Sequence, residues 1–149
     1  ILDLHGDDPA LYHANDALCH ALQVINHLQD SADDYRRLDR VYIPEPWLTA
    51  VGLGVDVLAG AASPPALRAV IDRLLDRTEA LLKHARSFAQ DVQDNRLALE
   101  IAAIQALAEG LVTKLRREDP LRRHVKFSKP RMAAIAVAGA ARAWAARRR

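Results

Sequence analysis

From Pro9 onward, apolar residues recur at spacings of three and four, and no strand-length run of alternation appears. That period belongs to the α-helix and argues against a sheet protein. Long stretches are rich in Ala, Leu, Arg, Glu and Gln, which favour helix intrinsically. Prolines punctuate the pattern. Asp8-Pro9 reads as a helix start, with Asp as cap and Pro in the first turn, and the periodicity then holds to about Tyr35. Arg36 to Pro46 breaks it, Trp47 to Val51 predicts a short helix, and Gly52 and Gly54 loosen the chain beyond. Ser63-Pro64-Pro65 opens a second long helix whose stripe runs through Leu67, Val70, Ile71, Leu74, Leu75, Thr78, Leu81 and Leu82. A third covers roughly Asp94 to Arg117, with Leu97, Ile101, Ile104, Leu107, Ala108, Leu111 and Leu115 on one side. Asp119-Pro120 closes it, and Ser128-Lys129-Pro130 opens an Ala-rich last helix that ends in three arginines. The expected architecture is an all-α helical bundle forming one domain over residues 1–149.

At 149 residues the chain is long enough to bury one core and short for two. Basic and acidic residues nearly balance, at 21 against 19. The stretch from Arg116 to Arg149 is strongly basic and Asp3 to Asp34 is rich in Asp. Such a tail either packs on the bundle with solvated arginines or touches a phosphate-rich surface; packing is the reading preferred here, with peripheral membrane contact through the C-terminal basic helix as its rival. Nucleic acid is not expected as a partner, because no aromatic platform accompanies the basic residues. Cys19 is the sole cysteine, so no internal disulfide or CxxC metal knuckle can form, and the cytoplasm is the expected compartment. No signal peptide is read at the start, and the apolar stretch from Met132 to Ala141 falls far short of the ~20 residues a membrane span needs. Ile1 to Leu4 reads as the tail of a segment already under way, so an N-terminal truncation is expected.

The first long helix carries the chemistry-bearing residues. With Asn26 at zero on a helical wheel, Asp30 falls near 40°, Gln23 near 60°, Asp34 near 80° and Asp33 near −20°, a polar ribbon about a quarter-turn wide. Leu18, Leu22, Val24, Ile25 and Leu28 flank it. A helix so apolar on its flanks is expected to be largely buried, and buried carboxylates need a compensating charge. Oxygen ligands suit a hard cation such as magnesium. The alternative is a solvated acidic end to an ordinary amphipathic helix, and from spacing alone the two readings stand even.

Asn26-x-x-x-Asp30-x-x-x-Asp34, followed by Arg40-Val41-Tyr42-Ile43-Pro44 and preceded by Ala21-Leu22-Gln23, resembles the second aspartate-rich motif of the squalene and phytoene synthases. The match is dense from Asn15 to Trp47; the later helices agree only in general character. The resemblance implies the C-terminal part of a class I isoprenoid synthase fold, in which magnesium bridges prenyl diphosphates to aspartates on two facing helices. It implies metal-ligand roles for Asn26, Asp30 and Asp34, with Asp30 and Asp34 catalytic, and substrate-side roles for Gln23, Asn26, Arg40 and Tyr42. It also implies head-to-head farnesyl diphosphate chemistry. His27-Leu28-Gln29-Asp30 with Asp33-Asp34-Tyr35 looks most like the bacterial hopanoid-pathway branch, which includes enzymes taking presqualene diphosphate to hydroxysqualene without NADPH. Many members carry Arg where this chain has Gln29, and the stretch from Asp34 to Arg40 is one residue longer than the common pattern. The rivals are a phytoene-type synthase and a non-catalytic helical module.

The family's first aspartate-rich motif has no equivalent here, so the chain is expected to hold half of a metal site and to show little turnover alone. Asp72 and Asp76 have the right spacing but alternate with Arg68, Arg73 and Arg77, and read as salt-bridge partners. His13, His20 and His27 recur every seven residues, about 10.5 Å apart, too far for two to share one metal. They read as packing or polar-edge residues, Cys19 as a buried inert thiol, and Trp47 as a plug over the loop. Trp144 is a candidate for a membrane surface.

Overall fold

The computed structural model describes residues 8–148. The sequence features at Ile1–Leu4, Asp7 and Arg149 lie outside them. The described residues are 75% helical, with no strand among them. After a 3-10 turn at Pro9–Leu11 come α1 (Tyr12–Leu38), α2 (Glu45–Thr49), a second 3-10 turn at Val55–Ala59, α3 (Pro65–His84), α4 (Phe88–Asp91), α5 (Asn95–Arg117) and α6 (Lys129–Arg147).

The starts follow local chemistry. Asp8 accepts the Ala10 amide at 2.8 Å and Asp94 accepts the Leu97 amide at 2.7 Å, each satisfying a donor that the first turn leaves free. Proline occupies the first turn of α2, α3 and α6. The end of α1 lies three residues beyond the expected Tyr35, because Asp39 takes the left-handed conformation, φ 52°, and turns its amide back to Asp34 and Tyr35. The short helix begins at Glu45 rather than Trp47, since Pro46 fits inside its first turn. The 3-10 turn at Val55–Ala59 and α4 were not expected from periodicity; both are too short to show one.

Ile25 and Leu28 of α1, Leu67, Ile71 and Leu75 of α3, and Val112 and Leu115 of α5 meet in one continuous core with Ile43, Leu48, Leu58 and Phe88. Each such side chain contributes roughly 1.5–3 kcal/mol by leaving water. Ile104 departs from the expected stripe and stays 40% exposed. Trp47 packs against the core edge with the Arg73 guanidinium 3.9 Å above its ring, as a plug would. Asp72 pairs with Arg68, and Asp76 pairs with Arg116 across the α3–α5 seam, so both are salt-bridge partners as read.

The last helix packs on the bundle, but its arginines are not all solvated. A Cβ on Gly139 would sit 2.7 Å from Ala106 Cβ and 2.8 Å from the Ala102 carbonyl, so α6 approaches α5 as closely as glycine allows. Arg147 donates to the carbonyls of Ala89, Gln90, Val92 and Gln93 and to Asn95 Oδ1, clasping the α4–α5 turn. Arg148 lies 4.2 Å over the exposed Trp144 ring. No helix among the described residues is long and apolar enough to cross a membrane.

Candidate functional site

α1 buries Ala17, Leu18, Ala21, Ile25, Leu28 and Ala32, an arc centred nearly opposite the polar ribbon. The ribbon therefore faces outward. Gln23, Asn26 and Asp33 are exposed, while Asp30 and Asp34 are half-buried. This corrects the expectation that the helix would be largely buried: its apolar residues cover one side only, and on the other the described residues bring just the Tyr42 segment and the α5–α6 connector against it. Cys19 lies on the ribbon side of the wheel and is exposed with it, which corrects its reading as a buried thiol.

Beyond Asp39 the chain runs back along the end of α1 and delivers Tyr42 to the ribbon. The Tyr42 hydroxyl donates to Asp34 Oδ2 at 2.7 Å. The Tyr42 ring stacks on His27 with centroids 4.0 Å apart and planes 1° from parallel. Arg40 stands exposed beside this pair; the Tyr42 hydroxyl, and more weakly the Asp34 carboxylate, raise its pKa against a small opposing effect of burial. Arg36 reaches the Gly60 carbonyl at 2.8 Å and so ties the end of α1 to the second 3-10 turn. Five of the candidate residues thus cluster toward the C-terminal half of α1. Gln23 stands on the same face, about 16 Å along the axis from Asp34.

The connector between α5 and α6 closes the other flank. His124 Nδ1 lies 3.3 Å from Asp30 Oδ1, with the two side chains 37% and 44% exposed. One residue earlier on α1, the buried Gln29 amide donates to the Val125 carbonyl. Asp119 anchors the start of the connector, taking the Ser63 amide at 2.7 Å, the Ser63 hydroxyl at 2.6 Å and the Leu121 amide at 3.0 Å. Burial pushes the Asp119 carboxyl up, but these hydrogen bonds and the Arg122 charge together hold it below the usual carboxylate range.

The squalene/phytoene synthase family matches residues 1–131. The chain belongs to that family. It is 44% identical over 140 residues to a protein named hydroxysqualene synthase from Rhodopseudomonas palustris, covering 94% of this chain and 48% of that one. To the hydroxysqualene synthase of Zymomonas mobilis it is 41% identical over 141 residues, covering 95% and 48%. A phytoene synthase from Thermus thermophilus is 33% identical over 96 residues, covering 64% of this chain and 32% of its own length. No solved structure gives a significant match. The chain spans about half the length of the hydroxysqualene synthases it matches.

Magnesium is the ion that membership of the squalene/phytoene synthase family brings into question, and the donors on α1 fit it. Asn26, Asp30 and Asp34 offer only hard oxygen atoms, from one helix face, with solvent access for the waters magnesium retains. All three lie on one face of α1, so they would reach a bound ion from that side alone. Among the described residues no group of three or more His, Cys, Asp or Glu converges on a metal position. His13 and His20 are exposed and His27 is the stacking partner of Tyr42, consistent with polar-edge and packing roles. Gln29 and His124 escaped the reading of the sequence as site residues. Gln29 was visible there as a departure from the squalene/phytoene synthase pattern, but the spacing of 96 residues between Gln29 and Val125 leaves no local signal.

Proposed function

We propose that this chain supplies the C-terminal half of a magnesium-dependent head-to-head prenyl synthase, acting on presqualene diphosphate to give hydroxysqualene in hopanoid synthesis, in the cytoplasm. The carrying observation is the outward ribbon of Asn26, Asp30 and Asp34, with the Tyr42 hydroxyl on Asp34, in a chain of the squalene/phytoene synthase family. A ribbon of hard ligands with an open side is what a two-sided diphosphate site requires from one of its walls. The relatives named hydroxysqualene synthase support the choice of reaction.

In this reading Asn26, Asp30 and Asp34 hold magnesium ions between them, and Tyr42 keeps the Asp34 carboxylate turned toward the metal. When bound, magnesium supplies Lewis-acid stabilisation of the departing diphosphate. Arg40, raised further above its usual range by Tyr42, keeps a fixed positive charge beside the same group at any physiological pH. Gln23, on the same face of α1, lies close to the substrate or its diphosphate. Water quenches the resulting cation, so no nicotinamide is consumed.

The test joins this chain to the additional half that its relatives carry, and incubates the protein with magnesium and, in separate reactions, presqualene, farnesyl or geranylgeranyl diphosphate, without NADPH. Mass spectrometry identifies the lipid product. Hydroxysqualene is the expected result. Untouched presqualene and farnesyl diphosphates refute the enzymatic reading, and phytoene from geranylgeranyl diphosphate replaces it with the phytoene-type one.

A further inference from the structure

The α5–α6 connector is held on α1 by two neighbouring contacts, and they differ in kind. Val125 is wholly buried and Leu121 is 4% exposed, so the connector plants two apolar side chains in the core. Burying Val125 also carries its backbone carbonyl inside, where an acceptor without a donor is costly. The Gln29 side chain, 9% exposed, supplies that donor. His124, next in the chain, is thereby delivered to Asp30 at 3.3 Å, on the outward face. On the wheel Gln29 lies at the edge of the buried arc, about 100° from Asp30, so a single helical step converts a core hydrogen bond into placement of a surface group.

We propose that Gln29 is a positioning residue for the ribbon: its amide pins the connector so that His124 stands against Asp30 and limits the directions that the carboxylate can take. A side chain of this length is needed. Asparagine falls one methylene short, methionine fills the same volume without a donor, and glutamate turns an oxygen toward the Val125 carbonyl. Of the connector's arginines, Arg122 pairs with Asp119 and Arg123 with Glu118, both close neighbours in the chain, so those pairs do not bind it to α1.

The experiment compares wild type, Gln29→Met, His124→Ala and the double variant. Amide hydrogen exchange across residues 121–127 reads the pinning directly. Gln29→Met is expected to speed exchange there about tenfold, the size of one lost buried hydrogen bond, and to leave α3 and α5 protected. Binding of manganese with inorganic pyrophosphate then reads the effect on the ribbon; this arm alone rests on the metal reading of Asp30 and Asp34. Gln29→Met and His124→Ala should each weaken binding by a similar factor, and the double variant should be no weaker than either single one. Unchanged exchange in the connector overturns the proposal, as do binding losses that multiply in the double variant. If the wild type binds neither manganese nor pyrophosphate, the metal reading fails, and connector exchange still decides whether Gln29 pins it.

Discussion

Replacing Arg147 tests how α6 is held, because the guanidinium has five acceptors and no carboxylate among them. Its Nη1 reaches the carbonyls of Ala89, Gln90 and Val92 at 3.1, 2.9 and 2.8 Å. Its Nη2 reaches Gln93 at 3.1 Å and its Nε reaches Asn95 Oδ1 at 3.0 Å. The contacts to Ala89 and Val92 are part-buried and the other three are exposed. Counting about 1 kcal/mol for each part-buried bond and a few tenths for each exposed one, Arg147→Met should cost about 2–3 kcal/mol. Taking the bonds at full charged strength would more than double that, but the exposed carbonyls regain water in the variant. With a urea dependence of about 2 kcal/mol per molar, the unfolding midpoint should fall by roughly 1 M. Arg147→Lys keeps the charge and loses the planar fork, so it should recover less than half of the loss. Equilibrium urea unfolding followed by circular dichroism measures both variants. A lysine variant as stable as wild type would show that charge near the helix ends, and not the fork, holds α6. A methionine variant within about 0.5 kcal/mol of wild type would show that the clasp contributes nothing net.

Gly139→Val should destabilise by about 1–3 kcal/mol, because its Cβ meets a backbone carbonyl and α6 must lift from α5; thermal unfolding checks it. Asp119 has a lowered folded pKa, so the stability it adds is present above the ordinary aspartate value of about 3.9 and is lost as pH falls through the lower folded value. Unfolding free energy should therefore drop between about pH 4 and pH 2 more steeply in wild type than in Asp119→Asn, as read from urea titrations. In the protein completed to its relatives' length, Asp30→Ala or Asp34→Ala should lower turnover of presqualene diphosphate by at least about a hundredfold with helicity intact; retained activity would remove both from the metal site.

The long helices were legible because burial repeats at the helical period, and four of the six helices carry proline or an aspartate cap at their start, whereas α4 carries neither. The ribbon was legible for the same reason: Asn26, Asp30 and Asp34 share a face on any α-helix. Its exposure was not. Leu18, Ile25 and Leu28 lie opposite the ribbon on the wheel and mark one covered side, yet only the placement of the other helices tells that the ribbon side is not covered as well, and Cys19 went with the side left open. The tail shows the converse case. Its alanines and arginines fix a helix, but the four carbonyls that engage Arg147 come from a turn more than fifty residues earlier.

By itself, then, the sequence determined the helical class, the stripe of each long helix and the order of donors along α1, all consequences of local backbone geometry acting within a few turns. The tertiary structure alone decided that the ribbon faces outward, that Tyr42 folds back onto Asp34 and His27, and that Gln29 and His124 join a connector to the same helix. Those pairings depend on which distant groups must be satisfied once the core excludes water, and periodicity along one helix carries no information about partners on another.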